Sequence, residues 1–452
     1  MPKERVAFVS LGCAKNLVNT EQMMALAVDG GYEVTGDPET AQVAVVNTCG
    51  FIDSAKSEAI DVILELAKQK ETGNLRGILV AGCMAQRHGA EVQTLLPEVD
   101  GLLGCGSYEE ITKAIQGVLN GEKPQLFGDI DAPLQETRRI LTTPSWTAYL
   151  RIAEGCDNRC AYCVIPSLRG KYRSRSMDAI LQEARWLADM GVKELLVIAQ
   201  DITRYGTDLN GKRQLAKLLR ALCRIEGFHW IRLHYLYPDE IDDDLIDVIA
   251  TEKKIVKYLD IPLQHIDDGV LKAMNRRGTG REIRALLHTL RARIPGLVLR
   301  TSLICGLPGE GESEFESLCR FLEEEQIERA GVFAFSPQEG TEAARMENIP
   351  DEETVLARMD RLLAIQTQCL DAYNASQLGR QVEVLLEGRD EAGRMHGRTP
   401  ADSTEIDGQL VLETEGEHPL EPGQFIFVTV TGSEDGDLLG VPVDAEGEAR
   451  MV

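Results

Sequence analysis

The stretch Ala153-Glu-Gly-Cys156-Asp-Asn-Arg-Cys160-Ala-Tyr-Cys163 places three cysteines in one short loop, directly after a predicted strand. Their spacing is C-x3-C-x2-C, and three thiolates this close can ligate three irons of a 4Fe-4S cluster. The fourth iron then stays open for a substrate or cofactor. A structural zinc ion normally requires a fourth cysteine or histidine nearby. No histidine occurs in the loop or after it before His229, so the spacing predicts an iron–sulfur cluster.

The segment around this loop, from Ala148 to about Ala344, alternates apolar strands with helices. Helical patterns such as Met177–Met190 and Glu312–Glu325 separate the strands. The predicted strands are Ala148–Ala153, Glu194–Ala199, Trp230–Tyr235, Lys257–Pro262, Leu297–Ile304 and Ala330–Ser336. Six strands joined by helices predict a full or partial β/α barrel, in which the chemistry gathers at the carboxyl ends of the strands.

The first 110 or so residues show a similar alternation with shorter units. Strands are predicted at Val6–Ser10, Val43–Asn47 and Gly77–Ala81, and helices at Thr20–Asp29 and Asp53–Lys70. This order predicts an open parallel sheet covered by helices.

Three N-terminal cysteines, Cys13, Cys49 and Cys83, each fall two or three residues beyond one of these strands. Their intervals of 36 and 34 residues match successive strand–helix units. Ligands converge at this edge of an open parallel sheet, so three loops could meet at one cluster. Cys105 follows another apolar segment, and spacing alone leaves it open as a fourth member. An ordinary buried thiol is the alternative for any one of the four.

The C-terminal part changes character twice. Helical apolar spacing over Asp351–Gln377 predicts a long connecting helix, and after Gly379 the pattern becomes all-β. Strands are predicted there at Val382–Leu386, Gln409–Glu413 and Phe425–Thr429. We therefore predict an α/β protein with an open parallel domain over 1–123, a proline-containing linker over 124–145, a partial β/α barrel with its connecting helix over 146–376, and a small all-β domain over 377–452.

The charge balance bears on the partner. The 452 residues include 48 basic and 73 acidic ones, a net charge of −25. This disfavours a mainly electrostatic grip on nucleic acid and favours a cationic protein, although negative charge also serves solubility. The segment 377–452 has 17 acidic and 5 basic residues, a net charge of −12, and its predicted strands carry few stacking aromatics, Phe425 and Phe427. An RNA-binding domain would need a basic stripe.

The cysteine count and the start of the chain bear on its compartment. Eleven cysteines, an odd number, without a secretory signal indicate metal ligation or catalysis rather than disulfides. The start Met1-Pro-Lys-Glu-Arg5 has no apolar signal region, and no apolar run approaches the roughly 20 residues that cross a bilayer. We expect a cytoplasmic protein without a membrane partner.

The cysteine loop resembles that of radical S-adenosylmethionine (SAM) enzymes. The resemblance implies that SAM binds the open iron, and that one electron from the cluster cleaves SAM to a 5′-deoxyadenosyl radical that abstracts hydrogen from the substrate. Two segments stand where that superfamily binds SAM, and turn chemistry is the alternative reading of both. They are Ala199-Gln200-Asp201 and Ile304-Cys-Gly306-Leu-Pro-Gly309-Glu310. The resemblance makes Gln200, Asp201, Gly306 and Gly309 candidate SAM contacts.

Three N-terminal motifs resemble the methylthiotransferase family of radical SAM enzymes. They are Ser10-Leu-Gly-Cys13-Ala-Lys-Asn16, Asn47-Thr-Cys49-Gly-Phe-Ile-Asp-Ser-Ala-Lys56 and Gly82-Cys83-Met-Ala-Gln86. The resemblance implies an auxiliary 4Fe-4S cluster on Cys13, Cys49 and Cys83, leaves Cys105 outside, and makes the tail similar to a TRAM domain. The first two motifs resemble the RimO type, whereas the tRNA-modifying branch more often carries Cys-Gln-Met-Asn at the first one. Asn19-Thr20 departs from the usual Asp-Ser of the RimO type.

This resemblance implies methylthiolation of an aspartate β-carbon on ribosomal protein uS12. The cofactors would be two 4Fe-4S clusters and SAM, and an electron donor of flavodoxin or ferredoxin type would be a partner. One SAM would methylate sulfur held at the auxiliary cluster, and a second would yield the radical that removes a β-hydrogen. A tRNA adenosine methylthiotransferase is the main alternative, although the acidic tail disfavours tRNA. An iron–sulfur electron carrier or assembly scaffold is the third interpretation.

Several other polar residues have two interpretations each. The basic run Arg169, Lys171, Arg173 and Arg175 could hold a carboxylate or form a solvated surface. His265 could face the substrate or make a structural hydrogen bond. Packed-core positions are expected for Cys223, Cys305, Cys319 and Cys369.

Overall fold

The structure is a computed structural model that describes residues 3–413 and 420–443. Within these residues the main sheets follow one another along the chain, first an open parallel sheet, then a second parallel sheet, then a closed barrel. This confirms the predicted α/β class with an all-β tail. In the described part of the chain, no helix is long and apolar enough to cross a membrane.

The N-terminal sheet has six parallel strands in the order β2-β1-β3-β4-β5-β6. The strands are β1 Arg5–Ser10, β2 Glu33–Thr35, β3 Val43–Thr48, β4 Gly77–Gly82, β5 Gly101–Leu103 and β6 Gln125–Leu126. The helices are α1 Ala14–Asp29, α2 Asp53–Thr72, α3 Cys83–Leu95 and α4 Ile111–Leu119. Every residue of β3 and β4 is buried, because helices pack an apolar core on each face of the sheet.

Two features of this domain differ from the prediction. Helix α1 begins at Ala14 rather than Thr20, so Lys15 and Asn16 occupy its first turn. Because these residues are polar, the apolar periodicity does not reveal that the helix starts here, although both side chains are buried. The segment predicted as a linker, 124–145, begins with strand β6, which pairs with β5. The predicted bounds of the four segments stay predictions.

The central sheet has six parallel strands in the order β14-β13-β12-β11-β10-β7 and does not close, so the barrel is partial. Its strands, together with the small hairpin β8–β9, are β7 Thr147–Arg151, β8 Ala153–Glu154, β9 Arg173–Ser174, β10 Glu194–Ile198, β11 Trp230–Leu233, β12 Ile255–Asp260, β13 Val298–Cys305 and β14 Arg329–Ala334. The helices are α5 Ile165–Arg169, α6 Met177–Asp189, α7 Thr207–Asn210, α8 Leu215–Cys223, α9 Asp243–Thr251, α10 Asp268–Ala273, α11 Gly280–Arg293 and α12 Glu312–Glu325.

Helix α13, Glu352–Gln377, leads into a closed five-stranded barrel. The barrel strands are β15 Gln381–Arg389, β16 Met395–Arg398, β17 Leu410–Leu412, β18 Phe425–Glu434 and β19 Asp437–Pro442. Sequence periodicity finds β15, β17 and β18 but misses β16 and β19. Strand β16 is only four residues long, and a glycine and a proline interrupt the apolar pattern of β19.

A buried ion-pair cluster fastens the tail barrel to the central sheet. Glu194, at the start of β10, accepts hydrogen bonds from Arg232 of β11 and from Arg398 of β16. All three side chains are almost fully buried. The two arginines hold the pKa of the Glu194 carboxyl down at about 2 against the effect of burial, which alone would raise it. The aromatic ring of Phe425 adds an edge-on contact to Trp230, with 4.8 Å between ring centroids.

Candidate active site

The loop with Cys156, Cys160 and Cys163 follows β8 at the carboxyl end of the central sheet. Hydrogen bonds hold it on both sides, from the Cys156 amide to the Gly170 carbonyl at 3.1 Å and from the Ala161 amide to the Met274 carbonyl at 3.0 Å. Gly155 makes the turn into the loop with φ +80°, and a side chain there would lie 2.0 Å from the Lys171 carbonyl oxygen. The loop therefore presents its three thiols from a fixed backbone.

The other cysteine triplet comes from three neighbouring strands. Cys13 caps α1 after β1, Cys49 follows β3 directly, and Cys83 follows β4 as the first residue of α3. Because β1, β3 and β4 are adjacent, these loops meet at one edge of the sheet. Gly12 permits the closest approach, since a Cβ there would lie 2.6 Å from the Cys49 Cβ.

Buried amides pin these loops to one another. The Asn16 side chain donates hydrogen bonds to the carbonyls of Leu11 and Thr48, both at 3.0 Å. The Asn47 side chain donates to the Asn16 carbonyl at 2.8 Å and to the Thr20 hydroxyl at 2.9 Å. Since unpaired buried amides would be costly, this network fixes the relative position of the loops.

Both triplets face one cavity of about 380 Å³ between the N-terminal and central sheets. The predicted SAM contacts Gln200 and Asp201 also line it, at the end of β10. The rest of the wall includes Lys15, Phe51, Asn158, Tyr162, Arg169, Tyr235, Leu236, Tyr237, Pro262, Gln264, Arg276 and Ser302. The cavity thus lies at the carboxyl ends of the central strands, as expected for a β/α barrel.

Gly306 and Gly309, the other predicted SAM contacts, do not line this cavity. The Gly306 amide donates to both carboxylate oxygens of Glu310, at 3.0 and 3.1 Å, and the Gly309 amide donates to the Asn348 carbonyl at 3.1 Å. Their backbone donors are therefore satisfied inside the protein, and their role toward SAM stays a prediction.

The donor set fits two iron–sulfur clusters. All six cysteines of the triplets are free thiols. Over residues 3–413 and 420–443, no three cysteine, histidine, aspartate or glutamate side chains are grouped closely enough to hold a single metal ion. A zinc site needs such a compact group, whereas a 4Fe-4S cluster spreads its thiolates over separate irons. The thiols and the open space between them therefore suit clusters better than zinc.

The thiols that line the cavity do not all have the same electrostatic surroundings. Burial raises the pKa of Cys49 and of Cys156 to about 11, and it raises the pKa of Cys163 further. A hydrogen bond from Cys105 lowers the pKa of Cys83 below the ordinary thiol value, and the charge of Arg169 lowers it as well. Cys83 is therefore the thiol best prepared to exist as a thiolate.

Cys105 lies behind Cys83, outside the main cavity. Its Sγ lies 4.0 Å from the Cys83 Sγ and is 3.5 Å from the Tyr108 hydroxyl, which donates to it. The position agrees with its omission from the auxiliary triplet, yet Cys105 touches that triplet. The sequence left Cys105 open as a fourth member of this group, but the spacing of 22 residues from Cys83 does not by itself predict a direct contact.

Of the two roles predicted for the basic run after the cysteine loop, its arginines match the first, because Arg169 and Arg175 hold carboxylates. Arg169 is buried and donates to Asn16, Asn19 and Glu154. Arg173 donates to the Ile130 carbonyl, and Arg175 pairs with Glu136 and with Glu183 at 2.6 Å. The carboxylates that these side chains hold, Glu154, Glu136 and Glu183, are the chain's own and lie outside the N-terminal sheet. Lys171 alone of the run is exposed.

His265 has a structural role. It is buried, its Nδ1 accepts a hydrogen bond from the Asp267 amide at 3.1 Å, and its Nε2 lies 3.3 Å from a carboxylate oxygen of Glu310. The four remaining cysteines agree with the packed-core prediction, with Cys223 at the margin of the core and three fully inside: Cys305, Cys319 and Cys369.

Sequence reasoning missed two cations of the cavity wall. Arg276 donates to the Cys160 Sγ at 3.7 Å, to the Tyr162 hydroxyl at 3.1 Å and to the Pro262 carbonyl at 2.6 Å. Lys15 stands over the ring of Tyr235, with its Nζ 3.5 Å from the ring centroid. Lys15 belongs to the first N-terminal motif, so a signal was present, whereas no pattern marks Arg276.

Three known families match successive parts of the chain. An uncharacterized protein family, UPF0004, matches residues 5–104, the Radical SAM superfamily matches residues 127–322, and the TRAM domain matches residues 378–443. Together they cover the N-terminal sheet, the central sheet and the tail barrel.

Solved structures of radical SAM enzymes share the fold. The cobalamin- and 4Fe-4S-bound methyltransferase TsrM from Kitasatospora setae is 13% identical, with a TM-score of 0.56 over 74% of this chain and 75% of that one. The cobalamin-dependent enzyme OxsB is 12% identical, with a TM-score of 0.51 over 80% of this chain and 56% of that one.

Sequence relatives are far more similar and extend over nearly the full length. The ribosomal protein uS12 methylthiotransferase RimO of Symbiobacterium thermophilum is 47% identical over 99% of this chain and 93% of the relative. RimO of Lachnoclostridium phytofermentans is 46% identical over 96% of this chain and 99% of the relative. RimO of Pelotomaculum thermopropionicum is 47% identical over 97% of this chain and 99% of the relative. The chain therefore belongs to the RimO family of radical SAM methylthiotransferases, whose cofactors are SAM and 4Fe-4S clusters.

Proposed function

We propose that this protein adds a methylthio group to the β-carbon of an aspartate of ribosomal protein uS12. The observation that carries the proposal is the single cavity onto which both cysteine triplets open. A reaction that joins sulfur insertion to hydrogen abstraction needs both functions at one substrate carbon, and a shared cavity supplies that proximity. The names of the full-length relatives support uS12 as the substrate.

The residues divide into two cluster sites. Cys156, Cys160 and Cys163 would hold the radical-generating cluster, and the other triplet, Cys13, Cys49 and Cys83, the auxiliary one. When bound, the radical-generating cluster would supply the electron that cleaves SAM. The auxiliary cluster would hold the sulfur that is methylated and inserted. Gln200 and Asp201 are the proposed SAM contacts beside the first triplet.

The chain's own groups orient and shield this chemistry. Asp201 is held by the Asn158 side chain at 2.9 Å and by the Thr203 amide at 3.0 Å, so its carboxylate faces the cavity in a fixed direction. Apolar and aromatic side chains, among them Phe51, Leu236 and Pro262, form much of the wall. They exclude water, which would otherwise hydrolyse a reactive intermediate.

The outer face of the cysteine loop is the proposed site at which an electron donor binds. A second groove of about 520 Å³ touches all three cysteines of the loop from the side opposite the cavity. Its lining includes two exposed cations, Arg159 and Lys171, and four carboxylates, Asp131, Asp157, Glu339 and Glu342. We place the electron donor, of flavodoxin or ferredoxin type, at this groove.

Charge favours a protein substrate over tRNA. The segment 377–452 has a net charge of −12, and ribosomal proteins are mostly basic, so complementary fields would speed their encounter. Phe427 is exposed on the tail barrel, but Phe425 packs against Trp230 and is not available for stacking on a base. A ribosomal protein as substrate places the reaction in the cytoplasm.

The test is anaerobic reconstitution of the protein, then incubation with SAM, sulfide, a reductant and purified uS12 or total tRNA in parallel. We expect methylthio mass on an aspartate-containing uS12 peptide and none on adenosine. Cys160→Ala should abolish the product, whereas the matched buried control Cys319→Ala should retain it. Product on tRNA alone would overturn the substrate assignment, and product from Cys160→Ala would overturn the mechanism.

A further inference from the structure

The main cavity has three cations in its wall, Lys15, Arg169 and Arg276. Two of them are committed to the protein. Arg169 binds the side chains of α1 and Glu154, and Arg276 binds Cys160, Tyr162 and a carbonyl. Their donors already have partners, so neither is available to a substrate.

Lys15 is different. It is buried, and across residues 3–413 and 420–443 no carboxylate lies within 4.0 Å of its Nζ. Its recorded contact is the face of the Tyr235 ring at 3.5 Å. Burial alone would lower the pKa of the ammonium, but Tyr235, Cys13 and Glu154 stabilise it and raise its pKa. None of these three is a carboxylate in direct contact, so Lys15 can still accept an anionic partner.

The backbone below Lys15 is held in an unfavourable conformation. Tyr235 has φ +66°, in the left-handed region that bulky residues rarely adopt. The Asp260 carboxylate holds it there by accepting a hydrogen bond from the Tyr235 amide at 3.2 Å. Backbone strain of this kind clusters at ligand-binding positions, and here it places the ring that supports the ammonium.

The carboxylate in the cavity wall does not form an ion pair with Lys15. Asp201 is the cavity's own carboxylate, and its oxygens accept hydrogen bonds from Asn158 and Thr203. A substrate that enters between the two triplets therefore meets one cation, Lys15, that has no carboxylate within salt-bridge distance among the described residues. Lys15 lies two residues after Cys13, in the first turn of α1, beside the auxiliary site.

We propose that Lys15 binds the side-chain carboxylate of the aspartate to be modified, and so orients its β-carbon between the two cluster sites. The inference rests on the proposed function, and it deepens that function by assigning the residue that distinguishes an aspartate from a neutral side chain. Binding of the carboxylate at Lys15 fixes the carbon next to it, because one bond joins them.

The test measures binding without turnover. Fluorescently labelled uS12, and uS12 with the target aspartate replaced by asparagine, are titrated anaerobically into cluster-loaded protein that contains SAM but no reductant. Asparagine has the same shape as aspartate without its charge. We expect the unmodified protein to prefer the aspartate form by about 30-fold or more, the usual loss when a buried charge pair is truncated.

Lys15→Met keeps most of the length of the side chain and removes its charge. We expect the preference to fall to near onefold in this variant, while Lys15→Arg retains part of it. The matched control is Lys217→Met, at an exposed position of α8, which should keep the full preference. Iron content and thermal unfolding of each variant establish that the fold and both clusters are intact.

Two outcomes would overturn the inference. One is an unmodified protein that binds both forms equally, and the other is a Lys15→Met variant that keeps the preference. If that variant also loses SAM in equilibrium dialysis, Lys15 is assigned to the SAM carboxylate. Failure of the proposed function looks different, since the unmodified protein would then give no methylthiolated uS12 when reductant is added.

Discussion

Cys156, Cys160 and Cys163 lie within eight residues of one loop, whereas Cys13, Cys49 and Cys83 come from three loops that strand order brings together. The first triplet depends on local hydrogen bonds of its own backbone. The second depends on the adjacency of β1, β3 and β4 and on the amides of Asn16 and Asn47. The loop triplet can be recognised in the sequence as a short motif. The triplet built from three loops can be recognised only from the regular spacing of its cysteines.

Removing one ligand from each triplet separates their roles and has the largest effect. We expect both Cys160→Ala and Cys83→Ala to abolish methylthiolation of uS12. Cys160→Ala should also abolish the cleavage of SAM to 5′-deoxyadenosine, whereas Cys83→Ala should retain it, because the radical-generating loop is intact. Chromatography of the nucleoside product measures this difference. Equal loss of SAM cleavage in both variants would mean that the triplets do not act separately.

Arg169 joins the two triplets, and its loss should be the most destabilising single change among non-ligands. Arg169→Met would leave Glu154 short of one cation and the buried oxygens of Asn16 and Asn19 unpaired. We expect a loss of about 3 kcal/mol in the free energy of unfolding by denaturant, typical of a broken buried pair.

Two further variants control that result. Arg169→Lys should recover little stability, because an ammonium cannot reproduce the planar fork of the guanidinium. Arg138→Met, which removes an exposed ion pair with Asp29, should leave stability nearly unchanged. If Arg169→Met matched Arg138→Met, the two sites would not be coupled through this side chain.

Cys156 and Cys83 should also differ in the pH dependence of their thiols before the clusters are loaded. Burial raises the pKa of Cys156 to about 11, so its thiolate fraction should grow about tenfold per pH unit from pH 7 to 10. The pKa of Cys83 is lowered by Cys105, so its alkylation rate should change much less over the same range. Mass spectrometry of iodoacetamide-labelled, iron-free protein measures both. Parallel profiles for the two thiols would contradict this.

The smallest effect is expected at Cys105. Its thiol donates toward the Cys83 sulfur, and hydrogen bonds to ligand sulfurs raise the reduction potential of a cluster. We expect Cys105→Ala to make the auxiliary cluster harder to reduce, and Tyr108→Phe to do so to a lesser degree. Redox titration by electron paramagnetic resonance, in a background that lacks the three loop cysteines, reads this potential alone. An unchanged potential in both variants would contradict the hydrogen bond.

The sequence predicted the elements that repeat a simple pattern and missed those that depend on tertiary contacts. Buried strands such as Val43–Thr48 and the six cysteines could be found because hydrophobic periodicity and ligand spacing are local signals. The start of α1 and the strand β16 could not, because a polar first turn and a four-residue strand have no periodicity.

The cavity wall shows the same limit. Gln200 and Asp201 follow a predictable strand, and both line the cavity. Arg276 lies far from the cysteines in sequence and reaches Cys160 only through the fold. The arginines after the cysteine loop suggested a carboxylate-binding site, but their partners are the chain's own side chains, such as Asn19 for Arg169 and Glu136 for Arg175.

The left-handed backbone at Tyr235 has a consequence for the way such a protein can change under selection. A bulky residue in this conformation lowers stability by about 1–3 kcal/mol. Asparagine or glycine would relieve that cost, so a laboratory selection for heat resistance alone should favour either residue at this position. The same replacement would remove the ring beneath Lys15. A replacement of Tyr235 that raises thermal stability would therefore weaken the selection of an aspartate substrate through Lys15.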